Sequence, residues 1–130
     1  KSAGADEEDV LGRNATVVRA IQSSTSDDFI HWSPVVHHTF MDNEPKWQLY
    51  TNATLPCPGA EHIYLAFPNR YVQHRLMNPE HKIPGINDAL FMVSRDAKRW
   101  TRYLQAWVRP GLDSYNWTDR NNYVTWGIIE

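Results

Sequence analysis

One heptad occurs twice in this chain: Ser26-Asp27-Asp28-Phe29-Ile30-His31-Trp32 and, 68 residues further on, Ser94-Arg95-Asp96-Ala97-Lys98-Arg99-Trp100. Both copies fit Ser-x-Asp-x-x-x-Trp. An internal repeat constrains a fold more than any single segment, because each copy must be one unit of a recurring structure. A Ser and an Asp two residues apart bond to turn amides, as ST and Asx turns do. The Trp then opens the following strand and packs its ring under the turn. On this reading the motif builds structure and carries no chemistry.

The rest of the chain alternates short β-prone runs with turn formers. Thr16–Ile21 is rich in β-branched residues, and Trp47–Thr51 alternates. Ile63–Phe67 and Ala89–Val93 are continuously apolar, as strands buried on both faces are, and Tyr123–Ile129 is a third such run. Pro56, Pro58, Gly59, Pro84, Gly85, Pro110 and Gly111 punctuate them. One segment competes with this pattern. Ala97, Trp100, Leu104 and Trp107 fall at helical spacing. The repeat decides for a hairpin: in the first copy Pro34 follows the Trp by two residues and would interrupt a helix there.

Composition excludes several classes of function. A formal net charge of −2 offers no general basic surface for phosphate contacts, so no nucleic-acid partner is expected. No apolar run is long enough to span a membrane. The single cysteine, Cys57, sits between Pro56 and Pro58 and reads as an inert loop thiol. The six histidines show no zinc-ligand spacing, and no phosphate loop, dinucleotide fingerprint or nucleophile elbow is present, so neither metal nor cofactor is implied. Residues 1–13 form an acidic segment read as flexible, and 14–130 form the folded part. Three glycosylation sequons, at Asn14, Asn52 and Asn116, are compatible with a secreted or periplasmic location and do not fix it.

Ser-x-Asp with a following aromatic resembles the second hairpin of each blade in five-bladed β-propeller glycoside hydrolases of the invertase and arabinanase type. It is also similar to the sialidase Asp-box, which has one more residue before its Trp. The stretch Leu49–Ala53 through Ile63–Tyr71 looks like the innermost strand and its approach in those families. Asn87–Asp96 resembles the "Asp, apolar strand, Ser-Arg-Asp" run of large bacterial glycosyl-hydrolase-like proteins, and the segments Trp107–Gly111 and Trp117–Tyr123 fit the same picture. The glycine that usually follows the Asp is Phe29 in one copy and Ala97 in the other, and the invertase-type Asn-Asp-Pro-Asn is absent. The resemblance implies an all-β fold of antiparallel propeller blades. At roughly 40–50 residues per blade, the chain holds two to three of them in an incomplete ring. The remaining blades of a longer chain, or of a homo-oligomer, would complete it.

The same resemblance implies a carbohydrate partner. Glycoside hydrolysis uses two carboxyl groups flanking the scissile bond, for which Glu61, Asp88 and Asp119 are the candidates. Arg70, Arg109 and Arg120 carry forked donors suited to sugar hydroxyls or a carboxylate. Trp117 offers a ring for stacking, and His62, beside Glu61, is the histidine placed to act as acid/base or ligand. The functions that stand are a glycoside hydrolase-like propeller working through paired carboxylates, a non-catalytic carbohydrate- or protein-binding propeller module, and a self-assembling blade module. Fold resemblance alone does not choose among them.

Overall fold

A computed structural model describes residues 19–43, 47–73, 75, 80, 85–113 and 122–129. Among these residues every regular element is a strand, and the sheets are antiparallel apart from one parallel pair. The expectation of an all-β chain therefore holds. The flexible reading of 1–13 falls outside the described residues.

The strands are β1 (Gln22–Ser23), β2 (Val36–His37), β3 (Thr39–Phe40), β4 (Gln48–Tyr50), β5 (Leu55–Cys57), β6 (Ala60–Ala66), β7 (Asn69–Val72), β8 (Ile86–Ser94) and β9 (Arg99–Val108). Their pairings reduce to a simple plan. β6 and β7 face successive halves of β8 in one unbroken register, from Tyr64 opposite Ser94 to Val72 opposite Ile86. Pro68 separates them because it has no N–H to give the ladder, yet its carbonyl still accepts from the amide of Leu90 at 2.9 Å. β4 pairs with β7 and β5 with β6, with a slip of one residue between the two pairings. Ala53, at φ +45°, lies in that slip. The result is a four-stranded antiparallel meander: β4/β5, β6/β7, β8, β9.

The sheet does not close. β3 adds at the edge, parallel to the start of β9, with Thr39 opposite Arg99 and Phe40 opposite Trp100. β1 and β2 form a separate antiparallel hairpin. Each heptad thus caps a hairpin, the first between β1 and β2 and the second between β8 and β9.

The two turns share the bonds from Ser to Asp and from two amides to the Asp carboxylate. Ser26 Oγ donates to Asp28 Oδ1 at 3.1 Å, and Ser94 Oγ to Asp96 Oδ1 at 3.0 Å. The amides of Ile30 and His31 donate to Asp28 Oδ1 at 2.9 and 2.8 Å; those of Lys98 and Arg99 donate to Asp96 Oδ1 at 2.9 and 2.8 Å. Phe29 and Ala97 both take the left-handed conformation, φ +61° and +57°, at the position where glycine would be unstrained. The helical spacing of Ala97 to Trp107 is therefore coincidental. Ala97 lies in the turn, and β9 runs from Arg99 to Val108.

Leu49, Ala66, Leu90, Met92 and Trp100 make the core on one face of the sheet, with Ile21, Phe40, Trp47 and Tyr64 packed against them. Trp100 is fully buried. The opposite face carries an aromatic row. Phe91 stacks on Tyr103 at 5.2 Å and lies 5.4 Å from Phe67 and 5.3 Å from Trp107. The run Tyr123–Ile129, expected as a strand, pairs with no strand. Its described tie to the sheet is the indole N–H of Trp126 donating to the Thr54 carbonyl at 3.0 Å. High β-propensity alone does not make a strand, even beside the open β4/β5 edge.

Candidate functional site

The cross-strand pair Arg70 and Asp88 stands opposite in the β7–β8 ladder. It builds the floor of a groove. Cross-strand neighbours on one face lie about 5 Å apart at Cβ, which lets the guanidinium fork meet the carboxylate with both arms. Arg70 Nε donates to Asp88 Oδ1 at 2.8 Å and Nη2 to Oδ2 at 2.7 Å. Its remaining arm, Nη1, donates to the Leu104 carbonyl on β9 at 3.3 Å. The guanidinium lies over the ring of Trp47, 4.4 Å from its centroid, a stacked arrangement that Lys would not reproduce.

A second cation closes on the same carboxylate. Arg75 Nη1 donates to Asp88 Oδ2 at 2.8 Å. Arg75 is held by its own backbone, whose carbonyl accepts from the Gly85 amide at 2.9 Å. Gly85 sits at φ +115°, and a Cβ there would fall 2.1 Å from Tyr71 Oη. Only glycine brings the chain this close to Tyr71, and that approach pins the segment carrying Arg75. Asp88 is 1% exposed. A buried carboxylate needs such pairing, and removing its partners would cost about 3–5 kcal/mol.

Above this floor opens a hollow of about 480 Å³, lined by Arg70, Arg75, Asp88, Gln105 and Arg109, with Leu104, Ala106, Pro110 and Leu112 as its apolar part. Three guanidinium groups face one carboxylate, and both oxygens of that carboxylate are already bonded to guanidinium donors. The groove is therefore cationic, and its size lies within the usual range of small-ligand pockets.

Of the residues singled out from sequence, Arg70, Asp88 and Arg109 come together here. Glu61 and His62 do not: both are exposed on β6 near the β5–β6 turn. Arg70, which faces Asp88, lies nine residues beyond Glu61 along the β6/β7 line. At about 3.3 Å per residue that separates Glu61 from Asp88 by roughly 30 Å, against the 5–10 Å or so required of paired glycosidase carboxylates. Asp119, Arg120 and Trp117 lie outside the described residues. Arg75 and Gln105 were not singled out. Arg75 falls in a connection with no periodic signal. Gln105 is one polar residue on a long strand, and nothing in the sequence gives its place at the groove.

The heptad carboxylates are committed to their turns. Asp96 is held down to about 2 by the amides of Arg99 and Lys98 and by the Ser94 hydroxyl. Asp28 is held lower still by the His31 side chain and by the amides of His31 and Ile30. Among the described residues no group of three or more His, Cys, Asp or Glu side chains could hold a metal ion, and no helix is long and apolar enough to cross a membrane. Compared with known proteins, the chain matches no family model, no curated protein and no solved structure.

Proposed function

We propose that this chain is a non-catalytic binding module built of consecutive propeller-type blade units, with carbohydrate as its ligand. Two features support the blade reading: the four-stranded antiparallel meander β4/β5–β6/β7–β8–β9, and the recurrence of one turn in two separate hairpins, β1–β2 and β8–β9. The observation that carries binding over hydrolysis is the state of Asp88. It is the one carboxylate among the described residues lining the groove, and its two oxygens accept three hydrogen bonds from Arg70 and Arg75. A carboxylate so engaged orients guanidinium groups, and three of its roughly four lone-pair positions are already taken. Glu61, the other described candidate, stands at the far end of the sheet.

A polysaccharide panel tests the reading. The chain is expected to be retained by at least one immobilised polysaccharide and to release no reducing ends from it. Release of reducing sugar that disappears in Asp88→Asn would restore the hydrolase reading, and failure to be retained by any polysaccharide would remove the carbohydrate ligand.

A further inference from the structure

We infer that the groove over Asp88 selects a saccharide bearing a carboxylate, a uronic acid-type unit, an inference that rests on the carbohydrate-binding reading above. The charge decides the class. Among the described lining residues Asp88 offsets one guanidinium of three, so a neutral sugar would leave two of these cations facing it, whereas a ligand carboxylate offsets one more. The Arg70 fork is already spent on Asp88 and Leu104. Arg75 gives only Nη1 to Asp88 and keeps further N–H donors, and Arg109 is exposed on the same rim. These two are the groups that would grip the incoming carboxylate.

The remaining lining distinguishes a sugar acid from a bare anion. Leu104, Ala106, Pro110 and Leu112 offer apolar surface for the C–H face of a pyranose ring. Gln105 adds an amide able both to donate to and to accept from hydroxyls. A small inorganic or fully ionised acid makes no use of that surface. A uronic acid uses all three: the carboxylate on arginine, the hydroxyls on the amide, the ring on the apolar rim.

The test is a titration of the intact chain, followed by amide shifts and calorimetry, with three probes: an oligogalacturonate, the same oligomer fully methyl-esterified, and citrate. The oligogalacturonate is expected to bind about ten-fold more tightly than its ester, to shift amides from Gln105 to Leu112, and to weaken as salt is raised. Arg109→Ala, at an exposed position, should lower affinity for the acid oligomer about ten-fold and affinity for the ester far less, so that the preference for the acid nearly disappears. An ester that binds as well as the acid overturns the inference and leaves carbohydrate binding standing. Citrate binding as tightly as the oligomer overturns it in favour of a free acid. No binding of either oligomer overturns the inference, while the carbohydrate reading stands or falls on the polysaccharide panel.

Discussion

The imidazole of His38 lies stacked on the indole of Trp100, 5.5 Å between ring centroids and 27° between planes. It joins the strand that leaves the first hairpin to the Trp of the second heptad. Neither ring nitrogen of His38 has a hydrogen-bond partner among the described residues, and both are buried. Burial accordingly pushes its pKa below the usual value, an effect opposed by the Asp96 carboxylate and reinforced by His37. An unfolded His takes up a proton near pH 6.5, while this folded one resists it. The contribution to stability is thus present above about pH 6.5 and is lost as the pH falls toward the lower folded value. Thermal unfolding at pH 7 and pH 5 should show a smaller acid-induced drop in Tm for His38→Phe than for the parent chain. Equal drops would mean that the imidazole is not buried as described.

The heptads invite a second substitution. Phe29 and Ala97 hold a left-handed backbone that costs an L-residue roughly 1–2 kcal/mol and glycine almost nothing. Ala97→Gly should therefore stabilise the chain, by less than about 1 kcal/mol once the extra chain entropy of glycine and the loss of the Ala97 methyl packed against the core are counted, read as an increase in the urea midpoint. Phe29→Gly should gain less, because it also gives up the edge-on contact with Trp32 at 5.8 Å. Destabilisation by Ala97→Gly would contradict the left-handed turn.

Repeat-equivalent tryptophans should respond unequally. Trp100 is 0% exposed beneath His38, whereas Trp32 is 54% exposed. Trp100→Ala is expected to cost about 3–5 kcal/mol and Trp32→Ala less than about 1 kcal/mol, measured by chemical denaturation. Similar losses at the two positions would mean that Trp32 is covered by packing that this fold does not contain.

These cases show what the sequence makes legible. The turns could be read directly, because a Ser and an Asp bonding to amides two and three residues on is a local event, complete within seven residues. The strands at Ile63–Phe67 and Ala89–Val93 could be read because an apolar run between turn formers has few other uses. The groove could be read only in part. Arg70 and Asp88 stand opposite each other through a register that continues across Pro68, where the sequence signals a stop. Arg75 reaches the same carboxylate through the close approach of Gly85 to Tyr71, a relationship between residues 14 apart with no periodic signature. The separation of Glu61 from Asp88 was hidden for the same reason. Proximity across a sheet depends on register, and two carboxylates on adjacent strands can still lie at opposite ends.

The equivalence of the two heptads is the claim on which the blade reading stands, and an acid titration of the backbone amides tests it most directly. With Asp96 held down to about 2 and Asp28 held lower still by their turn bonds, the folded turns resist protonation where an ordinary aspartate accepts it, near pH 3.9. The amides of Ile30, His31, Lys98 and Arg99 should show no titration step between pH 5 and pH 3; those of Lys98 and Arg99 should begin to move only as the pH approaches 2, and those of Ile30 and His31 only after them. Midpoints near 3.9 in either copy, or a step between pH 5 and pH 3 in one copy and none in the other, would contradict the account.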